Sequence, residues 1–252
     1  METSYDDLAV EIHPSPEALG EAVARQFADA VRARLQEQET VGVVLQSGSS
    51  QLSFIQALAA EELAWPRIEV FHLDEWVGLP GQHPVSFRRW INERIIEPFG
   101  PKVFHQLAGE ASDPHAEARR YSDLLLERDP PICVMGIGDN GQLAYNDPPA
   151  EFHTLEPVIV VQLDEASRQH MARQGHFDSD EHAPRSVLTM SIPALLSRAE
   201  VLLAVPESRK AAAVQAALEG PITRAMPASA LRTCPRARLH LDHDSAAKLS
   251  AA

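Results

Sequence analysis

Short runs of apolar, largely β-branched residues recur along the chain at Val41–Leu45, Ile68–Leu73, Ile132–Ile137, Val158–Leu163, Val201–Val205 and Ala237–Leu241. Most are continuous rather than alternating, the pattern of strands covered on both faces in a parallel sheet. Between them the apolar period changes to that of a helix. Ser15 is placed to cap a helix with Pro16 at its first position, and Leu19, Val23, Phe27, Val31 and Leu35 then fall on one face. Further helices are expected over Gln51–Leu63, Ser86–Ile96, Pro114–Arg128 and Glu207–Leu218, the last stopped by Gly220-Pro221. Strand–helix alternation over the whole length predicts a doubly wound, mostly parallel α/β sheet. With no internal repeat, low-complexity tract or linker-like shift, residues 1–252 read as a single domain.

Composition narrows the partners. The chain has 252 residues, 44% hydrophobic and 23% charged, with 22 Lys+Arg against 36 Asp+Glu and a net charge of −14. A chain this acidic, with no Lys/Arg-rich run, argues against nucleic acid and anionic membrane surfaces as partners. Two cysteines, Cys133 and Cys234, are too few for a disulfide framework and have no Cys or His at zinc-ligand spacing. Cys133, within ICVMGIG, reads as a buried small hydrophobe. The N-terminus METSYDDLAVEIHPSP lacks the features of a signal peptide, and no apolar run approaches the ~20 residues of a membrane span. A cytoplasmic location is expected.

In open α/β sheets ligands bind beyond the carboxyl ends of the strands, which directs attention to four places. After VGVVLQ comes Ser47-Gly48-Ser49-Ser50, small residues before a helix, suited to an anion but without the spacing or Lys of a P-loop. After IEVFHL come Asp74 and Glu75, two acids leaving a buried strand, where a carboxylate could serve as a general base. Gly136-Ile-Gly138-Asp-Asn-Gly141 satisfies GxGxxG literally. The residues that follow include Pro148-Pro149, which leaves no room for the helix that fingerprint requires, so no nicotinamide cofactor is expected. Pro206-Glu-Ser-Arg-Lys210 opens a helix with a Lys against the macrodipole, a local breach that a bound anion would explain.

Together and in this order, these segments resemble the glucosamine-6-phosphate deaminase/isomerase and 6-phosphogluconolactonase superfamily, from about Val41 to the C-terminus. FHLDEWVGLPGQHPVSFRRW (Phe71–Trp90) looks like the deaminase motif. MGIGDNGQLAYNDPPAEF (Met135–Phe152), with Gly138 and Gly141, looks like the signature GxGxDGHxAFNEP. Ser208–Leu231 is similar to the Lys-containing C-terminal helix and Pro-Ala-Ser segment. The resemblance implies a Rossmann-like fold, a small-molecule sugar phosphate as substrate, and no metal or organic cofactor, and it leaves room for a homo-oligomer. It implies that Ser47, Gly48, Ser49, Ser50 and Lys210 hold the phosphate, with Arg173 or else Arg168 adding a contact. Asp74 matches the carboxylate that moves a proton between C1 and C2, with Asn140, Gln142 and Asp147 orienting the ring oxygen and hydroxyls.

The chain departs from the signature at four places, of which Tyr145 for Phe is a mild change. Asn140 stands for Asp, Asp147 for Glu and, most consequentially, Gln142 for the His that acts in ring opening or, in the lactonases, activates water. Gln exchanges hydrogen bonds but does not titrate near neutral pH. A lactonase would lose its base, whereas an isomerase working on an open-chain sugar would keep Asp74. His72, two residues earlier, is a candidate to compensate if the strand persists that far. The expected activity is therefore aldose–ketose proton transfer on an (amino)sugar 6-phosphate, with lactone hydrolysis or silent sugar-phosphate sensing as alternatives. The polar stretch Asp164–Ser186, with His170, His176 and His182 at no standard ligand spacing, reads as a mobile lid rather than a metal site.

Overall fold

The computed structural model describes residues 2–165, 167–169, 177 and 183–250. Eleven strands are present among them: β1 (Glu2–Tyr5), β2 (Leu8–His13), β3 (Val41–Leu45), β4 (Ile68–His72), β5 (Asp74–Trp76), β6 (Val103–His105), β7 (Ile132–Met135), β8 (Val158–Gln162), β9 (Ser186–Met190), β10 (Glu200–Val205) and β11 (Ala237–Asp242). Eight form one sheet in the order β1-β2-β11-β10-β7-β3-β4-β6. Every pairing in it is parallel except β1 with β2. The expected doubly wound, mostly parallel α/β sheet is present.

Alternation within the continuous apolar runs builds two cores. Val44, Cys133, Met135, Val201, Leu203 and Val205 face one layer, with Tyr121 and Leu125 of helix Pro114–Arg128. Val43, Ile132, Val134, Leu202 and Ala204 face the other, against Leu19, Val23, Phe27 and Val31 of helix Pro16–Glu37. Burial on both faces is why these strands lack an in–out pattern. Burial also pushes the Cys133 thiol up to about 12, which suits a structural rather than reactive cysteine. Helix Pro16–Glu37 starts as its sequence predicts, with Ser15 Oγ accepting the Ala18 N–H at 3.2 Å.

Two expectations need correcting. The run Val158–Leu163 is not part of the main sheet: β8 pairs antiparallel with β9, and β9 with β5, in a separate three-stranded sheet. Its burial is only partial, so an apolar run alone did not distinguish the two settings. Strand Ile68–Leu73 also ends one residue early. At Leu73 the chain leaves the main sheet, the Met190 N–H donates to Leu73 O at 2.8 Å, and Asp74 enters the second sheet opposite Thr189. Asp74 thus stands at the junction of the two sheets. Several helices are shorter than expected. Gln51–Leu63 is a tight turn, Ser49–Gln51, followed by helix Leu52–Leu58; Ser86–Ile96 is helix Phe87–Ile91 followed by a wider turn, Asn92–Ile96.

Candidate active site

The strand order reverses between β3 and β7. After β3 the chain adds β4 and β6 on one side, then β7, β10 and β11 on the other. Beyond the carboxyl ends at this reversal lies a cleft of about 140 Å³, lined by residues that follow β3, β4, β7 and β10. This is where the geometry of doubly wound sheets places a ligand.

Ser47, Gly48, Ser49 and Ser50 form one wall. Gly48 has φ 113° and ψ 163°, a backbone region open essentially to glycine alone, and it turns the chain into Ser49–Gln51. A matching turn follows β10: Glu207 adopts φ 84° and ψ 138° before Ser208–Lys210. A non-glycine residue there costs about 1–3 kcal/mol and persists only where its surroundings hold it. The buried Asp242 does so, with Oδ2 accepting the Glu207 N–H at 3.0 Å and Oδ1 accepting from Ser245 N at 2.7 Å.

That turn delivers two cations. Lys210 is buried, with Nζ 2.6 Å from Asp139 Oδ1. Arg209 Nη1 reaches the two oxygens of Asp139 at 2.9 and 3.2 Å, and its Nη2 donates to Ser49 Oγ at 3.3 Å. Burial pulls the Lys210 ammonium below its ordinary range, against the opposing pull of Asp139. Burial works against the Asp139 charge as well, but Lys210 and Arg209 outweigh it and hold that carboxyl low. Glu207 Oε2 also accepts from Arg209 Nε at 2.6 Å, so two cations balanced by two carboxylates stand against the serine loop.

The two acids after β4 differ sharply. Glu75 is fully buried and accepts the Trp76 N–H, the Ser86 hydroxyl at 2.6 Å and the N–H groups of Phe87 and Arg88. Its carboxylate fastens the start of helix Phe87–Ile91. Asp74, 2% exposed, lines the cleft, and no hydrogen bond to its carboxylate is made among the described residues. Burial, with the Glu75 charge adding to it, pushes Asp74 well above the ordinary carboxylate range. His72 is not among the described cleft residues. Its Nε2 accepts the Leu107 N–H at 2.9 Å, its ring packs against Phe104 and Tyr121, and burial pushes it down to about 3. A neutral imidazole turned into the core is not placed to act in the cleft.

The Gly136–Gly141 segment continues into turns and an isolated Leu143–Asn146 bridge, not a helix. A Cβ on Gly138 would lie 2.4 Å from Gln142 Cγ, so the Gln142 side chain would have to move. Gly141 has φ 85°, and a Cβ on it would collide with Met226. Gln142 lines the cleft and donates from Nε2 to Ala144 O at 2.9 Å. Asn140 and Asp147 are brought together at 3.2 Å, and Ser167 Oγ donates to Asp147 at 2.8 Å, but neither Asn140 nor Asp147 is among the described cleft residues. Arg168 follows Asp164, to whose carbonyl its N–H donates, and it too is absent from the described lining. Arg173, His170, His176 and His182 lie outside the described residues.

Among the cleft residues that sequence reasoning missed as such are Arg209, Tyr145 and Phe87. Arg209 stands beside Lys210 and could have been read from the same segment. Tyr145 and Phe87 stack at 5.5 Å between ring centres, and both line the cleft. Burial, then Asp74, raises the Tyr145 phenol, so it remains a neutral donor. Its pairing with Phe87 depends on β5 leaving the main sheet, which no local pattern announces.

The chain is similar in sequence and in fold to known proteins. A glucosamine-6-phosphate deaminase of Bacillus thuringiensis (strain Al Hakam) is 29% identical over 231 residues, 92% of this chain and 85% of that protein. The solved structure of a monomeric glucosamine-6-phosphate deaminase superposes with a TM-score of 0.84 at 30% identity, covering 94% of this chain and 98% of the other. A 6-phosphogluconolactonase of Shewanella baltica shares the fold, with a TM-score of 0.77, 18% identity, and 92% and 96% coverage. The family model of glucosamine-6-phosphate isomerases/6-phosphogluconolactonase matches residues 14–240, and the chain belongs to that family.

Proposed function

We propose that this protein, acting as a single domain, is a glucosamine-6-phosphate deaminase/isomerase that works on the open-chain form of its substrate. The observation that carries this reading is Asp74: a buried carboxylate without hydrogen-bond donors, opening into the cleft that also holds Ser47–Ser50, Arg209 and Lys210. The serine loop and the two cations hold the phosphate, and the sugar extends toward Asp74. Asp74 takes the proton from C2 and returns it to C1. The resulting imine at C2 adds water and releases ammonia, leaving the ketose phosphate. A carboxylate whose affinity for a proton is raised is the stronger base for that transfer.

Gln142 supports this choice over lactone hydrolysis. Its amide cannot accept a proton from water, and Nε2 is committed to Ala144 O. Ring opening then proceeds without a titrating imidazole at that position. Incubation with glucosamine 6-phosphate, with ammonia and fructose 6-phosphate measured together, tests the reading. Equal release of both, abolished by Asp74→Asn and accelerated on the cyclic substrate by Gln142→His, is the expected result. Hydrolysis of 6-phosphogluconolactone that is indifferent to Asp74→Asn would overturn it, and binding without turnover would point to a sensor.

A further inference from the structure

On the opposite flank of the main sheet, β2 and β11 run parallel with Glu11 opposite His240 and His13 opposite Asp242. Residues two apart on a strand share a face, and directly paired residues on neighbouring strands face the same side. This register brings Glu11, His13 and His240 into one cluster. His13 Nε2 lies 3.0 Å from His240 Nδ1, and Glu11 Oε2 lies 3.9 Å from each. None of the three is needed by the chemistry of the cleft.

We propose that Glu11, His13 and His240 bind a divalent transition-metal ion, with Zn²⁺ as the natural occupant. Two imidazole nitrogens and one carboxylate oxygen are a recognised zinc ligand set, bound at about 2.0–2.2 Å. Such bonds at tetrahedral angles separate the ligand atoms by roughly 3.3 Å. The two nitrogens are already near that spacing, and a small swing of the Glu11 carboxylate closes the rest.

The surroundings fix the donor atoms. Gln26, on helix Pro16–Glu37, donates from Nε2 to Glu11 Oε1 at 2.9 Å, which turns its Oε1 toward His240 Nε2 at 3.2 Å. His240 therefore carries its proton on Nε2, and the Nδ1 lone pair faces His13. One amide thus orients two of the ligands, the arrangement that outer-shell partners supply around bound metals. His240 is fully buried, whereas the side chains of His13 and Glu11 are 15% and 25% exposed. An ion can enter from that side and keep a water as its fourth ligand. The chain's charge of −14 favours cations throughout.

In the metal-free protein the proton shared between His13 Nε2 and His240 Nδ1 occupies the place of the ion. Binding needs only that His13 move its proton to Nδ1, so both ligands stay neutral. The site is remote from catalysis but linked to it by chain. Asp242, two residues after His240, holds the strained Glu207 turn that presents Arg209 and Lys210.

The test is calorimetric titration of tag-free full-length protein with ZnCl₂, with Co²⁺ absorption as a reporter of coordination geometry. One ion per chain is expected, with a tetrahedral Co²⁺ spectrum. Glu11→Gln and His13→Gln are expected to weaken binding at least tenfold each, and Gln26→Ala about 10–100-fold. Both ligand variants change partly exposed side chains, and circular dichroism in EDTA establishes that each is folded. Absence of Zn²⁺ binding by the wild-type protein would overturn the site. So would stoichiometric binding that survives undiminished in the Glu11→Gln/His13→Gln double variant, since the ion would then sit on other histidines.

Discussion

The Ser86 hydroxyl donates to Glu75 Oε2 at 2.6 Å, and this bond divides the labour between two neighbouring acids. With Phe87 N, Arg88 N and Trp76 N also on its oxygens, Glu75 is spent on structure. Removing it strands buried donors, each worth about 1–3 kcal/mol. Glu75→Ala is expected to cost about 3 kcal/mol or more in urea unfolding, and Glu75→Gln less than half of that. Residual activity per folded molecule should remain measurable in Glu75→Gln.

Asp74→Asn should do the opposite. In the unfolded chain this carboxyl has a pKa near 3.8, and burial raises it in the native protein. Between those two values the native state holds the proton more tightly, so stability falls as pH rises through the window. Above the window the charge is buried at full cost. Asp74→Asn removes that cost, and at pH 7 the variant should unfold at higher denaturant concentration than the wild type while losing isomerisation at least 10²-fold. A variant that is both inactive and less stable would show that the Asp74 charge is compensated.

The same ionisation shapes the pH profile. Asp74 must be deprotonated to act as a base, so kcat/KM should fall toward low pH with an apparent pKa above 3.8. His72, pushed down to about 3, stays neutral across this range and adds no limb near pH 6.5. His72→Gln should therefore leave the profile's shape unchanged. A limb near 6.5 that disappears in His72→Gln would return His72 to the mechanism.

What the sequence carried and what it withheld follow from range. Val41–Leu45 was legible because burial on both faces leaves an unbroken apolar run, and Ser15-Pro16 because a cap is a local device. The strand Leu8–His13 was not read, though its buried and half-buried positions alternate. Its polar members, Glu11 and His13, look like surface residues until β11 places His240 beside them. The departure of the chain at Leu73 is set by pairing with β9, more than a hundred residues later. Ser47–Ser50, Asp74 and Lys210 stood out because each follows a strand, Gln142 stood out through the resemblance of its segment to the signature, and the cleft does gather them. Asn140 and Asp147 follow a strand too, but their side chains pair with each other instead.

Gly48 is the backbone test of the serine loop. A Cβ there meets nothing within 4 Å, so Gly48→Ala has room but not the torsion angles. The substitution should cost about 1–3 kcal/mol. If the loop instead relaxes to an ordinary conformation, stability is kept and the cost appears as a raised KM. Measuring both separates strain held in the fold from strain released at the site. Loss of neither would mean the loop does not grip the substrate.

The two cations proposed to hold the phosphate differ in how much each should matter. Lys210 is buried and fixed against Asp139, whereas the Arg209 side chain is 39% exposed. Hydrogen bonds to charged groups contribute about 1.5–3 kcal/mol, which is roughly 10–150-fold in affinity, and exposure reduces that range. Lys210→Met is expected to raise KM for the phosphorylated substrate toward the top of that range, and Arg209→Ala by about tenfold or less. Inorganic phosphate, as a competitive inhibitor, should lose affinity in the same order. Turnover of the unphosphorylated amino sugar, measured at high concentration, should be nearly indifferent to both. If that sugar is affected as strongly as its phosphate, the two cations contact the sugar itself and the cleft is occupied in the reverse direction.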